Sequence, residues 1–321
     1  MPPGLEGSGT HGRVFSFHGA HGSARQQAEL TGFDRLADRD GFLVVYPEGV
    51  DASWTTAAAP PRRSGGIDDV KLVRMIYDRL RDKVPVDSNR IYAAGLSNGA
   101  IFAARLACDL SDLFAAVGVV AGSVASRHRA ACTPVAPVSV VSIIGDANSF
   151  IPIQGGEEAY KNHQGVGGAL DSQADLVKFW AAQALCADEP RKTSSPVAQQ
   201  DGTSVSELAY EGCKDGAAVL YTIAGGGHTW PPNGLVDGCS PTGWGRPRPT
   251  STRYRCCGAS SPRIPRSRSG ERRLPPLLGQ RCLASRMATP GRAPPHASSI
   301  TTRPGGIALD RVRHDDGAVA E

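Results

Sequence analysis

Apolar positions in the first two-thirds of the chain alternate between short continuous runs and helix-spaced stripes. Val14-Phe15-Ser16-Phe17, Phe42-Leu43-Val44-Val45-Tyr46 and Arg90-Ile91-Tyr92-Ala93-Ala94 have the length and content of buried strands. So do Ala115 to Ala121, Val138 to Ile144, Val205 to Tyr210 and Ala217 to Ile223. Between them, Leu30, Phe33, Leu36 and Ala37 recur at helical spacing, as do Val70, Val73, Ile76, Tyr77 and Leu80. Gly66-Ile67-Asp68-Asp69 opens the second of these helices, with its carboxylates at the positive end, and Pro85 follows it. Ala100 to Cys108 and Asp175 to Ala184 predict two more helices, and residues 51–66 predict a loop. Strands alternating with helices predict an α/β fold, a mostly parallel sheet with helices on both faces.

The pattern stops near residue 234. From residue 246 the chain carries 15 Arg, no Lys, 5 acidic residues and 10 Pro, with no hydrophobic period. Residues 1–245 carry 20 basic and 26 acidic residues, so the overall charge of +4 averages two unlike segments. Two units are expected: an α/β domain over 1–233, and a low-order Arg/Pro-rich tail over 234–321. Pro, Gly and Ser interrupt the basic residues throughout, which disfavours a nucleic-acid-binding arm. The tail has the composition that a GC-rich gene yields when read out of frame.

With 40% apolar residues the chain can build a sizeable core, and no run approaches the roughly 18 apolar residues of a membrane span. The first residues, Met1 to Glu6, lack the charged and apolar regions of an export signal. None of the eight cysteines lies in a C-x-x-C pair, which disfavours zinc-ribbon and thioredoxin-like sites. Cys108, Cys132, Cys186 and Cys213 fall in the ordered part, and their spacing fits either two disulfides or four buried thiols.

The strongest chemical signal is Gly95-Leu96-Ser97-Asn98-Gly99, a G-x-S-x-G segment between a strand and a helix of small residues. In that context it forms a nucleophile elbow, which lifts the serine hydroxyl above the sheet and aims the next N–H, that of Asn98, at the same space. His18-Gly19-Ala20-His21-Gly22, after an earlier strand, can supply a second oxyanion donor from Ala20 or His21. His228, in Gly225-Gly226-Gly227-His228-Thr229-Trp230, sits where a loop histidine can take the serine proton. The acid is expected after the strand ending at Ile144, in Gly145-Asp146-Ala147-Asn148, where Asp146 is the carboxylate. Trp54, Trp230 and Tyr210 are candidates for lining an acyl pocket, with core packing the alternative for each. Asp68 and Asp69 are expected to cap their helix. No H-E-x-x-H, P-loop or dinucleotide fingerprint occurs in a usable context, so neither a metal nor a cofactor is expected.

These motifs, with Gly41-Phe42-Leu43-Val44-Val45-Tyr46-Pro47, Asp87-Ser88-Asn89-Arg90 and Leu113-Phe114-Ala115-Ala116, resemble the secreted feruloyl esterases and polyhydroxybutyrate depolymerases of the short α/β-hydrolase type. The resemblance spans roughly residues 12–233. It implies an exported, cofactor-free esterase acting on hydroxycinnamoyl-type or polyhydroxyalkanoate-type esters, with Ser97 as nucleophile and His228 as base. It also implies Cys108–Cys132 and Cys186–Cys213 disulfides, and an extracellular or cell-envelope location. Three departures accompany it. Aligned on Ile151-Pro152, the family's acid position falls on Asn148 rather than Asp146. The family's leader and first strands precede the point where this chain begins. The family's closing helix has no counterpart in the tail. A catalytically impaired relative that keeps the fold is therefore the alternative.

Overall fold

The computed structural model describes residues 11–57, 68–156, 168–194 and 203–231. The expected tail beyond residue 233 lies outside the described residues. Eight strands form one sheet: β1 (His11–Phe17), β2 (Leu43–Val45), β3 (Val86–Leu96), β4 (Ala116–Val120), β5 (Ser139–Gly145), β6 (Arg191–Ser194), β7 (Ser204–Ala209) and β8 (Ala218–Ala224). Their order is β2-β1-β3-β4-β5-β8-β7-β6. Pairings from β2 through β5 to β8 are parallel, and β8–β7 and β7–β6 are antiparallel. The sheet is therefore the mostly parallel sheet that the pattern predicts, arranged as the α/β-hydrolase resemblance implies, with an antiparallel hairpin at one edge.

Alternation along the central strands sorts side chains onto two cores. Phe15, Phe17, Ile91, Ala93, Val140 and Leu220 face one side. There they meet α3 (Asp69–Arg81), α4 (Asn98–Asp109) and α6 (Gln173–Gln183). Val14, Tyr92, Ala94, Val141, Ile143 and Tyr221 face the other, with Phe33 of α2 (Phe33–Asp40) and Trp230. A period of two on a sheet buried on both faces produces this division.

Several local outcomes refine the sequence expectations. The helical stripe from Leu30 to Ala37 is two helices, α1 (Ala24–Thr31) and α2, broken at Gly32, whose φ of 60° ends one and starts the next. Asp68 caps α3 by accepting from the Lys71 N–H. Asp69 does not join it: its buried carboxylate reaches back and accepts from the Thr55 N–H at 2.7 Å. A short helix, α5 (Ser126–Ala130), and β6 were not anticipated. The four residues of β6, Arg191-Lys192-Thr193-Ser194, are all exposed, so the strand carries no hydrophobic signal to find.

Both disulfides form as the resemblance implies. Cys108–Cys132 ties the end of α4 to the segment after α5, and Cys186–Cys213 ties the end of α6 to the β7–β8 turn. Among the described residues no helix is long and apolar enough to cross a membrane.

Candidate active site

The sheet order places β1 between β2 and β3, so the chain leaves β1 toward β2 on one side and continues from β3 toward β4 on the other. Loops leaving β1 and β3 therefore diverge at the carboxyl ends of the strands, the switch point at which ligands bind in open α/β sheets. Ser97 stands at the end of β3, at that point. It links β3 directly to α4 with φ 56° and ψ −119°, a conformation that L-residues rarely hold. Close packing enforces it. A Cβ on Gly95 would overlap the Gly99 backbone, and one on Gly99 would overlap the carbonyl oxygens of Phe17 and His18. Small residues at these points let strand, turn and helix approach to backbone contact.

Ser97 Oγ lies 2.8 Å from His228 Nε2. His228 Nδ1 lies 3.1 Å from Asn148 Oδ1. The same oxygen accepts the backbone N–H groups of Phe150 and Ile151, each at 3.1 Å. Backbone N–H groups can be accepted only by the oxygen of an amide, so this pair fixes which way the Asn148 amide points. With oxygen facing the ring, His228 carries its proton on Nδ1, and Nε2 is free to accept from the Ser97 hydroxyl. Asn148 Nδ2 is buried without a hydrogen-bond partner. Among the described residues nothing anionic touches the ring, and burial pulls the His228 pKa down to about 4.

Asp146, the carboxylate expected to orient His228, is elsewhere. It is exposed and accepts from the Gly225 N–H at 2.7 Å. Only Ala147 separates it from Asn148, and the turn after β5 sends Asn148 inward and Asp146 outward. Asp146 instead laces that turn to the glycine loop carrying His228, alongside the Ala147 N–H to Gly226 carbonyl bond at 3.0 Å.

The loop after β1 passes beside Ser97, where a Cβ on Gly19 would stand 3.4 Å from that of Ser97. His21, with φ 61°, donates its backbone N–H to the Ala52 carbonyl at 2.8 Å. That N–H is engaged in holding the loop, which leaves Ala20 as the remaining candidate donor from this segment. The Asn98 backbone opens α4, while its side chain does separate work. Its Oδ1 accepts the Trp54 N–H at 2.7 Å and the Ser53 hydroxyl at 3.3 Å, and its Nδ2 donates to the Trp54 carbonyl at 3.2 Å.

His18 completes the platform. Its Nδ1–H donates to the Gly19 carbonyl at 2.8 Å and its Nε2 accepts the Gly49 N–H at 3.0 Å. Burial holds its pKa below the usual histidine range, consistent with this neutral form. The His-Gly turn is legible in the sequence for its backbone; the bracing roles of the His18 and Asn98 side chains depend on a loop some 30 to 45 residues distant and leave no local pattern.

Trp54 and Trp230, candidates either for lining an acyl pocket or for core packing, are both buried. Trp54 stacks on Phe102 with ring centroids 5.2 Å apart, and its indole N–H donates to the His18 carbonyl at 3.0 Å. Trp230 meets Phe33 edge to face at 5.7 Å. Tyr210 packs against the core on the α6 side of the sheet. Cys108, Asp109 and His128 bring metal-ligand atoms together, but the Cys108 sulfur is committed to its disulfide and offers no thiolate.

Comparison with known proteins bears on the family and the fold. Residues 1–147 match the family model described as esterase PHB depolymerase. NocK of Nocardia uniformis subsp. tsuyamanensis, an esterase by its name, is 33% identical over 220 residues, covering 67% of this chain and 64% of the relative. Feruloyl esterase B of Piromyces equi is 28% identical over 231 residues, or 71% of this chain and 41% of the relative. The chain thus spans under two thirds of the length of each. The solved acetyl xylan esterase from Aspergillus awamori superposes with a TM-score of 0.51 at 17% identity, covering 70% of this chain and 86% of that one, which identifies the fold. Residues 1–147, which contain the Ser97 elbow and the turn after β5 up to Ala147, carry the match to the esterase PHB depolymerase family model.

Proposed function

We propose that this chain is a serine carboxylic-ester hydrolase working through an acyl-enzyme, with Ser97 as nucleophile, His228 as base and Asn148 as the group that orients the base. The observation that carries this is the 2.8 Å approach of Ser97 Oγ to His228 Nε2 on a turn of positive φ. His228 Nε2 takes the hydroxyl proton as Ser97 Oγ bonds to the ester carbonyl carbon. The N–H groups of Asn98 and Ala20 are the candidate donors to the oxyanion. The imidazolium then gives its proton to the departing alkoxide, and water, activated by the same ring, releases the acid. Asn148 supplies an amide dipole where a carboxylate would supply a charge. The base is therefore weak, and its conjugate acid is correspondingly strong toward the leaving alkoxide.

Feruloyl esterase and polyhydroxybutyrate depolymerase relatives point to hydroxycinnamoyl or polyhydroxyalkanoate-type esters as substrates. The catalytic unit runs over residues 1–233, and the disulfides suit an extracellular or cell-envelope setting.

Fluorophosphonate labelling beside Ser97→Ala tests the assignment, with a small aryl ester assayed in parallel. Label and turnover present in the parent chain and absent from Ser97→Ala are expected. A folded parent chain that takes no label would instead favour the impaired alternative, for which the uncharged Asn148 is the motive.

A further inference from the structure

The helix ends joined by the Cys108–Cys132 disulfide carry more than sulfur. Asp109 is the last residue of α4, where a carboxylate opposes the negative end of the helix. Two basic side chains answer it: Arg105 Nε donates to Oδ2 at 2.8 Å, and His128 Nε2 lies 3.2 Å from Oδ1. That His128 nitrogen is buried yet makes no aligned hydrogen bond. His128 and Cys132 stand four residues apart. The chain keeps coiling past α5, with the Ala131 N–H donating to the His128 carbonyl at 3.1 Å and the Cys132 N–H to the Arg129 carbonyl at 3.0 Å. Both side chains therefore leave the same side of the coil. The Cys108 sulfur, an Asp109 carboxylate oxygen and a His128 ring nitrogen all lie within 4.8 Å of one another, and the Cys132 sulfur is bonded to the first. Among the described residues no other three such groups converge, and none do at Cys186–Cys213.

While the disulfide is closed, neither sulfur can ligate a metal. Disulfides form only in oxidising surroundings, so the chain first carries both cysteines as thiols. We propose that in this reduced form Cys108, Cys132, His128 and Asp109 bind one zinc ion, which disulfide formation expels. Thiolate, imidazole and carboxylate are the ligand types of zinc, and thiolates select it over magnesium or calcium. Ligand atoms around tetrahedral zinc stand about 3.3–3.8 Å apart, so a contraction of about 1 Å gathers the set. The two thiolates and Asp109 bring three negative charges, which Zn²⁺ and Arg105 together balance. Binding releases the two thiol protons. On oxidation, a disulfide-bearing oxidant accepts two electrons and two protons and becomes two thiols. The two protein sulfurs then bond to each other, Zn²⁺ departs, and Asp109 returns to His128. The ion thus pairs in advance two cysteines that lie 24 residues apart.

Cobalt(II) is the probe, because thiolate ligation gives it a near-ultraviolet charge-transfer band that oxygen and nitrogen ligands do not. The full chain is reduced with a dithiol, freed of it, and titrated without oxygen. It should take one equivalent of cobalt with this band beyond what Cys108→Ser/Cys132→Ser takes, and zinc should displace it. The other six of the eight cysteines are common to both chains, so the difference reads this site alone. The oxidised chain should lack that equivalent, and His128→Ala should weaken it at least about tenfold. A reduced, folded parent chain that titrates like Cys108→Ser/Cys132→Ser would overturn the proposal, as would an unchanged affinity in His128→Ala. If circular dichroism finds the reduced chain unfolded, zinc should refold it; unfolding that zinc does not reverse would overturn the proposal equally.

Discussion

Asn148 holds His228 through an oxygen that two backbone N–H groups have already aimed at the ring. In a serine protease, an amide in place of the triad carboxylate stabilises the wrong tautomer and costs about 10⁴ in turnover. Here the Phe150 and Ile151 N–H groups prevent the amide from turning its nitrogen to the ring, so the productive tautomer survives and only the charge is missing. Asn148→Asp would keep both backbone bonds and add that charge. The expected gain in kcat/KM at pH 8 is about 10- to 100-fold, smaller than the protease value because the tautomer is already correct. Steady-state kinetics on a soluble aryl ester measures it, and a loss of activity would contradict the assigned amide orientation.

The pH profile should be shifted to acid. His228 must be neutral to act, and with its pKa at about 4 the acid limb of kcat/KM should inflect near that value rather than near 6.5. Asn148→Asp should move the inflection back up. Stability responds in a related way. A histidine depressed in the folded state binds its proton more readily when unfolded, so the fold loses stability as pH drops from about 6.5 toward about 4. His18 is depressed in the same direction and adds to the loss. Urea midpoints at pH 7 and pH 4.5 would show it.

Asn98→Ala should loosen the loop that carries Trp54. The substitution leaves the buried Trp54 N–H without its acceptor at a cost of about 1–3 kcal/mol, read as a lower urea midpoint. Labelling of Ser97 should slow as well, because this loop braces the Gly19 to His21 segment through the Ala52 carbonyl.

Ser97→Gly and Ser97→Ala should both abolish turnover yet differ in stability. Glycine accepts a φ of 56° without a steric penalty and alanine does not, so Ser97→Gly should be the more stable by about 1–3 kcal/mol. Differential scanning calorimetry of the two variants decides it, and equal melting temperatures would mean the turn is unstrained.

What the chain discloses by itself follows from the range of the forces involved. The elbow at Ser97 is legible because its G-x-S-x-G pattern is local, with Gly95 answering to the Gly99 backbone, and the central strands because both faces are buried. Asn148 was identified as occupying the acid position only by family alignment; composition favoured Asp146, the nearest carboxylate. The deciding factor, which of two residues the turn directs inward, is three-dimensional. The edge strand at Arg191 carries no hydrophobic signal because all four of its residues are exposed.

Ser97 meets His228 across 131 residues of chain, and His228 meets Asn148 across 80. The nucleophile leaves β3 while the other two leave β5 and β8, with β4 inserted between. No fragment of the sheet brings the three together. During refolding, reactivity toward a fluorophosphonate should therefore appear late and in a single phase, after secondary structure and after collapse, when the parallel centre of the sheet closes around β4. The hydroxyl of Ser97 then serves as a chemical clock for the last long-range pairing event of the fold.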